Sequence, residues 1–132
     1  MALTADEAFE LSRTFRDMAK QVGDTRIEKW DELTPTERQE LEDEEWDLLS
    51  AAMSMRTKAV GLVLDEAGPS ISKIIRVTDS ARKAVKSLEK ARASIAIATT
   101  AVTLAAAVLS KDPQAIAKSV QALHEEVKTA LA

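Results

Sequence analysis

At 132 residues the chain can bury one core but not two independent ones, so a single domain over residues 1–132 is expected. Apolar residues make up 45% of it, charged residues 30% and aromatics 3%, with three glycines and three prolines. These proportions exclude a disordered tail and a turn-rich β-sandwich. The net charge is −4, and without cysteine there is no disulfide framework, zinc–thiolate site or thiol nucleophile.

Residues 1–10, MALTADEAFE, carry Asp6 and Glu7 and lack the basic and apolar regions of a secretory signal. A cytoplasmic protein is expected. Thr4 and Glu7 have the spacing of a capping box. From there Ala8, Leu11, Phe15, Met18 and Val22 recur in steps of three and four, which predicts a first helix ending at Gly23 as a C-cap. Ile27, Trp30 and Leu33 suit either a short helix or an ordered loop.

Thr34, Pro35 and Glu37 predict a second helix start, with threonine as N-cap, proline first and glutamate third. Leu41, Leu48, Ala52, Met55, Ala59 and Leu62 form its apolar line, and Leu49, Met53, Val60 and Val63 a second line beside it. Gly68 and Pro69 end it. Ser70 can cap a third helix, whose seam runs Ile71, Ile74, Thr78, Ala81, Val85, Leu88, Arg92, Ile95, Thr99, Val102, Ala106, Leu109 with no Gly or Pro between. Uninterrupted, those residues would make a rod of about 60 Å, against a radius of gyration of about 14 Å for a compact chain of this length. The pattern favours the rod. Asp112 and Pro113 start a last helix with Ile116, Val120, Leu123, Val127 and Leu131 on its core face. The expected fold is all-α: an elongated bundle of about four helices with a long central antiparallel hairpin, along which two copies could form a homodimer in coiled-coil fashion.

Charge is segregated. Residues 24–47 hold eleven acids and three bases, net −8, whereas residues 70–92 hold seven bases and two acids, net +5. Glu37, Glu40, Glu44 and Asp47 share one helical stripe, and Arg76, Lys83, Lys86 and Lys90 share another. A hairpin turning at Gly68–Pro69 would bring Lys90 near Asp47 but leave most of the acids beyond the bases. Both stripes are candidate docking surfaces for a protein partner. Nucleic acid is not an expected partner, because the chain is acidic and Phe9, Phe15, Trp30 and Trp46 are not interleaved with the basic stripe.

Residues 93–110, ASIAIATTAVTLAAAVLS, are eighteen uncharged positions, at the short end of what spans a bilayer. Ile95, Val102 and Leu109 belong to a helix that is either the innermost element of the bundle or, released from it, one that lies on or in an anionic membrane. In the second case the basic stripe Arg76, Lys83, Lys86 and Lys90 just upstream would meet the headgroups, and the protein would associate peripherally with membranes or act in pore-forming fashion.

His124 is the only histidine, which excludes a catalytic triad or a multi-histidine metal site. Leu123, His124, Glu125, Val127 and Leu131 together resemble the phosphoacceptor helix of one sensor histidine kinase subfamily, over nine residues. That resemblance implies phosphotransfer, with a carboxylate orienting the imidazole. The acidic run Glu42, Asp43, Glu44, Glu45, Asp47 lacks the turn glycines and alternating ligands of a calcium loop, and no metal or other cofactor is expected. Nothing else suggests catalysis, and the leading expectation is a non-catalytic protein acting through protein–protein contacts as an adaptor, regulator or immunity-type inhibitor. The membrane-active bundle is the alternative.

Overall fold

A computed structural model describes residues 5–57 and 70–132. Every regular element within them is helical: α1 (Ala5–Glu28), a 3-10 turn (Trp30–Glu32), α2 (Pro35–Thr57), α3 (Ile71–Ser87), α4 (Ala91–Ser110) and α5 (Pro113–Leu131). Thr4, the residues 59–63 of the α2 apolar lines, and the Gly68–Pro69 stop lie outside the described residues.

Three helix starts follow from local chemistry. The Thr34 hydroxyl accepts from the Glu37 amide at 3.1 Å and the Glu37 carboxylate accepts from the Thr34 amide at 2.9 Å, a closed capping box with Pro35 as first residue. Ser70 Oγ accepts from the Lys73 amide at 3.2 Å. Asp112 Oδ1 accepts from the Gln114 amide at 3.0 Å ahead of α5. Between α4 and α5 the chain turns through Lys111 in the left-handed region, at φ 62°.

Gly23 does not end α1, which continues to Glu28. A Cβ there would come 2.7 Å from Cδ of Glu45 on α2, so glycine serves close approach between helices. One turn on, Arg26 Nη2 holds Glu45 Oε1 at 3.1 Å. At the other end of this antiparallel pair, Ser12 Oγ donates to the Ala52 carbonyl at 2.7 Å.

The forty-residue helix expected over 70–110 is two helices. Leu88 and Lys90 are extended, with ψ 139° and 121°, and Lys29 Nζ donates to the Glu89 carbonyl at 3.1 Å in the link. No Gly or Pro marks the break. Folding back lets α3 and α4 each cover apolar surface that a rod would leave wet, and burial at about 25 cal/mol per Å² outweighs the few backbone hydrogen bonds given up.

The break also resets the phase of α4. The seam expected through Arg92, Ile95, Thr99, Val102, Ala106 and Leu109 is not its core face. Arg92, Thr99 and Ala106 are exposed and Val102 and Leu109 half-buried, leaving Ile95 as the buried member. The buried line runs instead through Ser94, Ile97, Ala98, Ala101, Leu104, Ala105 and Val108. On α1, α3 and α5 the expected core positions from Ala8 to Val22, Ile74 to Val85 and Ile116 to Leu123 are buried. Leu41, Leu48, Ala52 and Met55 of α2 are buried as well, whereas Met53 of its second line is exposed.

The helices close a ring. α1 packs on α2 and α3, α3 on α5, α5 on α4, and α4 back on α2; α4 also touches α3 and α1. Among the described residues the main partners of α2 are α1 and α4, and α2 and α3 are not a principal packing pair. The molecule is all-α and helical-bundle in architecture.

Candidate functional site

The acidic stripe on α2 is largely turned inward. Glu37 Oε2 and Glu40 Oε2 each lie 3.7 Å from the Arg92 guanidinium at the start of α4. Glu44 is only 8% exposed, and its Oε1 accepts from Thr99 Oγ1 at 2.9 Å. The register pairs 37 or 40 with 92 and 44 with 99, so α2 and α4 run parallel. Acids and bases meet here through Arg92, and not through the Lys90–Asp47 pairing that a hairpin would make. Of the four stripe residues only Asp47 is exposed. Glu44 is buried against α4 and in this state offers no docking surface.

Burial gives Glu44 an unusual acidity. Loss of water pushes its carboxyl up from 4.5 to about 7, the Thr99 hydrogen bond acting the other way and Glu40, Asp47 and Asp43 adding to the rise. Its Oε2 is buried with no hydrogen-bond partner, as is Ser94 Oγ on α4. Glu37 is the opposite case. The Thr34 amide chiefly holds its carboxyl below the usual range, with Arg92 adding to the effect.

The basic stripe remains on the surface. Arg76, Lys83, Lys86 and Lys90 are all exposed, and among the described residues only Lys83 forms an ion pair, with Asp79 Oδ2 at 3.4 Å. Arg82 binds the same Asp79 at 2.8 Å, and that hydrogen bond chiefly keeps the aspartate below the usual carboxylate range.

Arg76 opens onto a cleft of about 470 Å³ between α3 and α5. α3 contributes Lys73, Arg76, Val77 and Ser80; α5 contributes Val120, Gln121, His124, Val127 and Lys128. Val77 and Val120 form a nearly buried floor and Val127 a half-buried one, while the three fixed cations and His124 stand exposed around it. No carboxylate lines the cleft among the described residues. Of the acids adjacent in sequence to lining residues, Asp79, Glu125 and Glu126, the first is paired with Arg82 at 2.8 Å and the second accepts from Gln121 Nε2 at 3.0 Å. An apolar floor inside a ring of cations suits an occupant with an apolar centre and negative edges.

The sequence pointed to Arg76 and His124 separately and passed over Lys73 and Lys128. Each stands close in sequence to a singled-out residue: Lys73 three positions before Arg76, Lys128 four after His124, spacings that share a helix face. That α3 and α5 lie side by side is visible only in the fold.

α4 is the one helix among the described residues long and apolar enough to cross a membrane by length and composition, and half of that stretch is buried in the bundle. It is thus covered on one side and wetted along Arg92, Thr99, Thr103, Ala106 and Ser110 on the other, instead of being enclosed all round. No cluster of three or more potential metal ligands occurs among the described residues. Comparison of the chain with protein-family models, with curated proteins and with solved structures finds no match to any of them.

Proposed function

We propose that this chain is a non-catalytic binding protein that acts through protein–protein contact, with the α3–α5 cleft and the adjoining basic stripe as its docking surface. The observation that carries this is the cleft itself, with Lys73, Arg76 and Lys128 around Val77, Val120 and Val127 and no described carboxylate among its lining. Two packed helices make a groove into which an amphipathic helix can lay its apolar face. The basic rim selects acidic partners and raises their encounter rate. An adaptor, a regulator and an immunity-type inhibitor all work in this way.

The test is fluorescence anisotropy with a labelled amphipathic helical peptide carrying leucines on one face and glutamates at its edges. The native protein should bind it with an affinity that falls as salt rises, and the triple variant Lys73→Glu/Arg76→Glu/Lys128→Glu should lose at least roughly tenfold. Equal binding by the triple variant, or equal binding of an uncharged helix, would remove the cleft from the proposal.

A second reading rests on α4, whose apolar stretch is only half covered and whose contact with α2 includes a buried carboxylate in place of a purely apolar seam. On that reading the bundle opens and α4 settles on an anionic membrane surface. Flotation with anionic liposomes tests it, and absence of association would refute it. Phosphotransfer through His124 is not adopted, because the resemblance behind it covers nine residues of α5 alone.

A further inference from the structure

We infer that the occupant of the α3–α5 cleft is the outer face of α2 from a second copy of the chain, with Trp46 seated on the valine floor and Asp43 and Asp47 against the cations. This rests on the proposed docking role of the cleft and adds the identity of what docks there. Trp46 is 60% exposed, an uncommon position for the residue type that most often anchors protein interfaces. It stands on the face of α2 opposite Leu41, Glu44 and Leu48, which pack inward. Asp43 and Asp47, one turn apart and both exposed, form an acidic row along one side of it. Asp43 Oδ1 accepts from Gln39 Nε2 at 2.8 Å, which leaves the second carboxylate oxygen for a cation.

The two surfaces match in character. One is an apolar projection beside a row of acids, and the other an apolar floor rimmed by bases, so the pairing satisfies charge and burial together. They cannot meet within one molecule. α2 packs on α1 and α4, while α3 and α5 form the edge of the ring across from it. One such contact uses the cleft of one copy and the Trp46 face of the other, so the pair keeps one unused cleft and one unused Trp46 face. The contact is head-to-tail, and it propagates unless the rotation between copies closes a ring.

The experiment is sedimentation velocity on the full chain between about 1 µM and about 1 mM, in low salt and in roughly 0.5 M salt, on the native protein, Trp46→Ala and the cleft triple variant above. The native mass should climb with concentration in low salt and return towards that of one chain in high salt, while each variant alone stays monomeric. An equimolar mixture of the two variants should form a one-to-one complex that grows no further, because only one intact cleft and one intact Trp46 face remain. Misfolded variants would not complement each other, and circular dichroism on each checks the helix content. The inference is overturned if the native chain stays monomeric throughout, if both variants still associate, or if folded variants fail to complement. A monomeric native chain that still binds the acidic peptide through the cleft would overturn the second copy as occupant and leave the docking role standing. Binding of anionic vesicles through the cleft without self-association would likewise overturn it.

Discussion

Replacing Glu44 by glutamine isolates the cost of burying its carboxyl. In the folded protein that group titrates at about 7 against an ordinary 4.5. Each tenfold difference in proton affinity corresponds to about 1.4 kcal/mol, so the full difference corresponds to about 3 kcal/mol. Below pH 4.5 the carboxyl is protonated in both folded and unfolded chains and contributes nothing to pH dependence. Between 4.5 and 7 the unfolded chain ionises while the folded one holds its proton, and stability falls with rising pH. Above 7 both are ionised and the whole penalty is present. Glutamine keeps the acceptor for Thr99 Oγ1 but never ionises; its amide donors inherit the unpartnered position of Oε2, which returns about 1 kcal/mol. Glu44→Gln is therefore expected to be about 2 kcal/mol more stable than the native protein at pH 8.5, and equal or slightly less stable at pH 4.5. Urea unfolding followed by far-ultraviolet circular dichroism at several pH values measures both limits. Glu37 and Asp79, held below the usual range, contribute stability at neutral pH that is lost as pH falls, but they do so equally in both proteins and cancel in the difference. Parallel stability curves for the two proteins across that range would refute the burial argument.

Three other substitutions test the packing. Gly23→Ala should change stability little in the native background, because a gain in helix propensity of about 1 kcal/mol is offset by displacing the Glu45 carboxylate from Arg26. In a Glu45→Ala background the same change should stabilise by about 1 kcal/mol, measured as a double-mutant cycle in urea; no difference between backgrounds would refute the close approach. Thr34→Ala opens the capping box at the start of α2 and should cost about 1 kcal/mol, read from the urea midpoint. Leu104→Ala, at a fully buried position on α4, should cost about 3 kcal/mol. Leu109→Ala on the half-buried side should cost distinctly less, and the reverse order in thermal or urea unfolding would mean that α4 faces the core with the phase of the unbroken seam.

Much of the secondary structure was legible because its causes lie within a few residues. Thr34 with Glu37, Ser70 with Lys73 and Asp112 with Gln114 are each closed by atoms two or three positions apart, and the periodic lines of α1, α3 and α5 mark faces that any core would claim. Gly23 shows the limit of such reading. At the end of an apolar line a glycine looks like a stop, yet the residue whose side chain occupies the space beside it, Glu45, is twenty-two positions away. The candidate site was legible by halves: Arg76 and His124 drew attention on their own helices, while Lys73 and Lys128 join them only because α3 and α5 are neighbours.

By itself the sequence determined an all-helical chain with well-placed starts, because caps and periodicity depend on chemistry within a turn or two. The tertiary structure decided where the 70–110 stretch breaks, which face of α4 turns inward, that Glu44 loses its water, and that a basic cleft opens between α3 and α5. Those outcomes depend on which apolar surfaces remain uncovered once the chain has collapsed. A break at Leu88–Lys90 carries no Gly or Pro to announce it, and burial across the whole ring selects it over the local preference to continue.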